Sequence, residues 1–113
     1  MAAINDLVKA PPFKVEMALR KLGQNLRTAR IRRKQTIEEV AERIGTGVRA
    51  VRDAESGKAS TGIAVYAALL WRYDLLGPLQ DLADPQTDRE GLAFAGANEY
   101  QRARRSRGLD NDF

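Results

Sequence analysis

Two residue types are missing altogether from this 113-residue chain, cysteine and histidine. Without cysteine there is no disulfide and no thiolate metal site, and nothing suggests an oxidising compartment. Without histidine the commonest general base and the commonest metal ligand are gone. Carboxylates, lysine and serine remain, but no Gly-rich phosphate loop, metal-ligand cluster or nucleophile–base spacing accompanies them. The sequence therefore argues against an enzyme, a bound metal and a cofactor. Long apolar runs are missing too. The longest apolar-rich stretch, Ile63 to Trp71, is far shorter than the ~20 residues a membrane span needs. The start, MAAINDLVKAPPF, lacks a basic region followed by a long apolar run, so no signal peptide is expected. A soluble, cytoplasmic protein is the expectation. There is no strand alternation of useful length, no internal repeat and no extended low-complexity segment.

What is present is enough for one modest helical core. Hydrophobic residues make up 43% of the chain, so a folded domain is expected and wholesale disorder is not. The net charge of +4 hides an asymmetry. Residues 14–60 hold twelve Lys/Arg against six Asp/Glu, residues 61–99 hold two against six, and residues 100–108 add four arginines and no acid. A basic front half suits phosphate, and the acidic back half is either a second partner surface or ordinary solvated charge.

The periodicity predicts an all-α domain of five helices between flexible arms. Residues 1–11 read as an N-terminal arm, 12–83 as the helical domain, and 84–113 as an extension with a basic, mobile tail from Gly96 onward. Pro12 suits the first turn of a helix. Val15, Leu19, Leu22, Leu26 and Ala29 then recur on one face to about Arg33, with Gly23 a weak point. Thr36 is an N-cap, and Glu39 completes a capping box. Ile37, Val40, Ala41 and Ile44 face inward, and Gly45 ends this second helix. A third runs from about Val48 to Glu55 with Val51 and Ala54 inward, ended by Gly57. A fourth, from Thr61 or Gly62 to about Tyr73, buries Ile63, Tyr66, Ala67, Leu70 and Trp71. A short fifth, Gly77 to Ala83, offers Leu79 and Leu82 to the core before Asp84-Pro85 stops it. Residues 88–95 allow one or two helical turns more.

Residues 36–58, TIEEVAERIGTGVRAVRDAESGK, carry the functional signal. Two short helices meet at a tight glycine turn, and the second leaves Arg49, Arg52 and Asp53 on its outward side. A DNA-reading helix-turn-helix needs this layout: close packing through small and β-branched residues, and polar side chains projected from the start of the second helix into the major groove. The stretch LGQNLRTARIRRKQTIEEVAERIGTGVRAVRDAESGK resembles the five-helix domain of lambda-repressor-like, Xre-type regulators. The matching residues are Leu22, Leu26, Arg27, Arg30, Thr36, Glu39, Val40, Ala41, Gly45, Val51, Glu55, Gly57 and Lys58. Residues 65–85, VYAALLWRYDLLGPLQDLADP, with the following DREGLA and the basic end, resemble regulators paired with HipA-type kinase toxins. There are departures. Gly47 stands where many members carry a Ser or Thr cap, and Ile37 where many carry a glutamine that contacts the backbone.

Several roles follow. Val48 can touch a thymine methyl, and Arg49 can span guanine O6 and N7 or hold a phosphate. Arg52 can read a base or hold a phosphate. Asp53 can accept from cytosine N4 or orient Arg49. Thr36 and Gly47 with the neighbouring N–H groups, and Lys34, Arg33, Lys58 and Ser60, are candidates for the phosphate backbone. The resemblance implies that Glu55 pairs with Arg27 or Arg30. Leu75, Leu76, Leu79 and Leu82 are a candidate dimer or partner surface, the alternative being that they are used within the monomer. The arginines Arg102, Arg104, Arg105 and Arg107 have three readings: DNA phosphate, an acidic partner, or solubility. One module makes few base contacts, so a homodimer on an inverted-repeat operator of double-stranded DNA is expected. The functional expectation is a transcriptional repressor that also serves as antitoxin to a HipA-type kinase. The alternative is a free-standing or phage-type repressor with no toxin partner.

Overall fold

The computed structural model describes residues 2–111, with side chains for residues 6–98 and 100–105. Within them the chain is all-helical. It runs through α1 (Ala2–Lys9), α2 (Phe13–Arg32), α3 (Ile37–Ile44), α4 (Val48–Glu55), α5 (Ile63–Arg72), α6 (Gly77–Gln80) and α7 (Arg89–Asn111). It forms two compact units that divide between Gly77 and Pro78. No helix among the described residues is long and apolar enough to cross a membrane.

The core of the first unit comes from α2 to α5. Leu26 and Ala29 of α2, Val40 and Ala41 of α3, Val51 and Ala54 of α4, and Tyr66 and Leu69 of α5 are buried together with Tyr73. Leu22, Ile37, Ile44, Val48, Val65 and Leu70 pack around them. α4 is the hub, packed against α2, α3 and α5. At eight residues it is too short to be stable alone, so its position is set by this burial rather than by its own propensity. At Gly23 the approach of α2 to α4 is so close that a Cβ would stand 2.5 Å from the Glu55 carbonyl oxygen and 2.6 Å from that of Ala54. The glycine that looked like a weak point in α2 is the place where α4 is seated.

Local signals set the ends of α3. The Thr36 hydroxyl accepts from the Glu39 N–H at 3.1 Å, as a capping box requires. The Glu39 carboxylate, however, accepts from the Thr36 hydroxyl at 3.2 Å instead of reaching back to the Thr36 backbone. Gly45 closes α3 in the left-handed region at φ 80°, where the Thr46 N–H reaches the Ala41 carbonyl at 2.9 Å.

Four sequence expectations need correcting. Residues 1–11, expected to be an arm, contain α1, because the alanines and Leu7 favour helix locally until Pro11-Pro12 stops it. Residues 96–111, within the tail expected from Gly96 onward, lie in α7, whose Ala, Arg, Glu and Gln content is both polar and strongly helix-forming. The helix expected from Gly77 to Ala83 is only α6, after which Ala83 turns the chain at φ 58°. Finally, Val15, Ile63, Trp71 and Leu82, expected to be inward, are 44%, 71%, 63% and 69% exposed. Each lies near an end of its helix or beyond it, where the apolar stripe outruns the neighbours available to cover it.

Candidate nucleic-acid interface

The surface around α4 gathers the residues singled out in the sequence. Val48 to Glu55 form the helix, Gly47 precedes it in extended conformation at φ −80°, and no side chain caps it. The inward positions Val51 and Ala54 are fully buried. One and two residues away, Arg49 and Arg52 are exposed. Val48, Arg49, Arg52 and Asp53 together line one shallow, open concavity. Val48 is half-buried and shares its side chain with the core, so only part of it faces outward.

Asp53 has a partner other than the one expected. Its carboxylate faces the Lys58 ammonium at 3.8 Å, so it is Lys58 and not Arg49 that it meets. This pair is half-exposed, and a polyanion can replace it at little cost. Lys58 follows Gly57, whose positive φ of 73° lets the chain turn beneath Arg20. The Lys58 carbonyl accepts from the Tyr66 hydroxyl at 3.2 Å, which fixes the loop after α4 to α5. Lys34, Thr36, Gly47 and Ser60 are all exposed. Lys34 sits in the left-handed region at φ 54°, just past the end of α2.

Below this surface is a scaffold of charge. Arg30 donates to both oxygens of Glu55, from Nε at 2.7 Å and from Nη2 at 3.0 Å. Its Nη1 donates to the Gln35 carbonyl at 3.0 Å. One guanidinium thus joins the last residue of α4 to the residue before the Thr36 cap. The hydrogen bond to Glu55 holds the Arg30 pKa above its usual value against the opposing effect of burial. Arg27, the other partner considered for Glu55, is exposed. Arg33 is also architecture. It donates to the Ala29 carbonyl at 2.9 Å and the Tyr73 carbonyl at 3.0 Å, and its guanidinium lies 5.3 Å from the centre of the Tyr73 ring. Arg33 is nonetheless exposed, and these two bonds leave other guanidinium N–H groups open to a phosphate. Ile37 packs against the core, so it takes no part in an outward contact at the start of α3.

Sequence reasoning missed one flank. Val8 and Lys9 of α1, Leu19 and Arg20 of α2, and Gly57 and Lys58 line a single groove. Reading residues 1–11 as an arm gave no signal for Lys9 there. The proposed partner leucines do not form one patch in either unit. Leu75, 44% exposed, and Leu76 belong to the first unit, and Leu79 and the exposed Leu82 to the second. On α7, Arg102, Arg104 and Arg105 are exposed. The Arg107 side chain lies outside the described residues. Among the described residues no cluster of acidic side chains could hold a metal ion. No protein family, curated protein or solved structure was found to match this chain.

Proposed function

We propose that this chain is a sequence-specific, double-stranded DNA-binding repressor built on the lambda-repressor-like helix-turn-helix fold. α3 and α4 serve as its helix-turn-helix, and α4 is the recognition helix. The observation that carries the reading is the division of α4 into two faces. Val51 and Ala54 anchor it in the core while Val48, Arg49, Arg52 and Asp53 line one open surface. A helix presented this way fits the major groove, where arginine donates twice to guanine and a methyl-bearing side chain meets thymine. Gly47 precedes it, Lys58 meets its Asp53, and these two with the exposed Lys34, Thr36 and Ser60 suit the flanking phosphates. The protein acts as a homodimer on an inverted repeat whose half-sites lie about one helical turn apart. It is the antitoxin of a type II pair, binds a HipA-type kinase in the cytoplasm and represses its own operon. The antitoxin role rests on the resemblance of residues 65–85 and the segment that follows.

The test is an anisotropy titration against DNA from upstream of its own gene, with nonspecific competitor and at two salt concentrations. Tight binding that survives competitor is expected. Arg49→Ala should cost roughly 1–3 kcal/mol, confined to the base pair it reads. Weak binding that competitor removes, unaltered by Arg49→Ala, would overturn the repressor reading. A kinase that co-purifies from co-expression supports the antitoxin role, and its absence leaves a free-standing repressor.

A further inference from the structure

The arginine-rich end of α7 has no use in the site just described. We infer that it is a second, sequence-independent contact with the DNA phosphate backbone, an inference that rests on the DNA-binding reading above. Between Tyr100 and Gly108 the chain carries four arginines and no acidic residue. All of this falls within α7, and Arg102, Arg104 and Arg105 are exposed. Arg104 lies 5.8 Å from the centre of the Tyr100 ring one turn earlier, which holds its guanidinium along the helix surface.

The surface these arginines leave around them chooses the partner. At about 100° per residue, Arg104 and Arg105 stand about 200° and 300° round from Arg102. The three cations therefore fall within an arc of about 160° and share one side of the helix. A helix that docks on a protein carries an apolar stripe for the partner and keeps its charges opposite. This segment has no such stripe: Tyr100 is its one large apolar side chain between residues 100 and 108, and it is 65% exposed. A row of cations along one side, with no apolar stripe beside it, suits a polyanion. Like charges three residues apart, as at Arg102 and Arg105, also weaken the isolated helix, and bound phosphate relieves that repulsion. The contact carries no sequence information, because guanidiniums on phosphates fix position and not base identity.

The test uses the full-length chain and its triple variant Arg102→Gln, Arg104→Gln, Arg105→Gln. Each is titrated by anisotropy on a duplex from upstream of its own gene and on a shuffled duplex of equal length, over a series of salt concentrations. Each lost phosphate contact lowers the slope of log K against log salt by about 0.9, so three in each protomer lower it by up to about 2.7 for one protomer and about 5.4 for a bound dimer. A fourfold rise in salt would then weaken the variant up to about 40-fold less than the parent for each protomer bound. A fall of about 0.9 or more, equal on both duplexes, is the expected result. The corresponding triple lysine variant keeps the charge and should keep the slope. Parental affinity and slope in the glutamine variant on both duplexes, or a loss confined to the upstream duplex, would overturn the inference. The first of these would leave the arginines to an acidic protein partner. Arg49→Ala, measured alongside, separates this result from the failure of the main reading. If the parent does not tell the two duplexes apart and Arg49→Ala changes nothing, the reader fails while a tail-dependent slope still stands. If the parent shows no salt-dependent binding to either duplex, both fail.

Discussion

Replacing Gly23 by alanine should destabilise the first unit, although alanine is the better helix former by about 1 kcal/mol. The added methyl would stand 2.5 Å and 2.6 Å from the carbonyl oxygens of Glu55 and Ala54. That is about 1 Å inside the favourable separation for non-bonded heavy atoms. Neither oxygen belongs to a side chain that can swing aside. Both are backbone of the helix that packs against α2, so α4 itself must move. Overpacking of a formed core costs typically about 1–3 kcal/mol, and a backbone obstacle puts this case at the upper end. After the gain in propensity, a net loss of about 2 kcal/mol is expected. For a unit of this size that corresponds to a Tm lower by about 8–16 °C. The displaced α4 carries Arg49 and Arg52 with it, so affinity for DNA should fall in parallel. Urea denaturation and a thermal scan measure the first effect, and the anisotropy titration measures the second. Gly96→Ala is the control. It lies within α7 with nothing within 4 Å of its added methyl, so only propensity remains, and helicity by circular dichroism should rise. An unaltered or raised Tm in Gly23→Ala would refute the reasoning, because it would mean that α2 and α4 can separate without loss.

Three further outcomes can be checked. Glu55→Ala leaves the Arg30 guanidinium, only 12% exposed, without its carboxylate, and should cost about 3 kcal/mol in urea denaturation. Arg30→Lys should lose stability as well, since an ammonium cannot make the paired contact, and full stability in Arg30→Lys would count against the bidentate role. Tyr66→Phe should cost about 1 kcal/mol by removing the bond to the Lys58 carbonyl. Tyr73→Phe should be neutral or stabilising, because the buried Tyr73 hydroxyl has no hydrogen-bond partner among the described residues. Equal losses in the two would contradict that contrast. Burial raises the pKa of both phenols above the ordinary value of about 10. The unfolded chain therefore ionises first, so this contribution to stability is complete below about pH 10 and is lost as pH rises through the folded-state values. Denaturation midpoints followed with tyrosinate absorbance would test it, and stability independent of pH above 10 would refute it.

The parts of the fold that were legible in the sequence are those with short-range causes. Thr36 and Gly45 act on backbone within a few residues of themselves, and the helix start and turn they imply are present. The alternation that separates Val51 and Ala54 from Arg49 and Arg52 depends only on helical periodicity. What was not legible depends on partners distant in sequence. Nothing near Gly23 reveals that the carbonyls of residues 54 and 55 will rest on it. Nothing near Arg33 reveals the Tyr73 ring. Trp71 and Ile63 continue the apolar stripe of α5, and periodicity gives no sign that the neighbouring helices stop short of them. At α7 the composition pointed two ways, since arginine and alanine read as a solvated tail by polarity and as helix by propensity.

The two faces of α4 have a consequence for how such a chain can change over generations. On the DNA-binding reading proposed above, folding rests on positions 51 and 54, which are buried, and recognition on 49 and 52, which are exposed, interleaved in eight residues. A substitution that retargets Arg49 or Arg52 to another base takes nothing from the core, so it need not await a compensating change elsewhere. Surface substitutions of that kind usually alter stability by no more than about 0.5 kcal/mol. On that reading a new operator preference lies one or two codons away, while Val51, Ala54 and Gly23 are held in place by the packing beneath them.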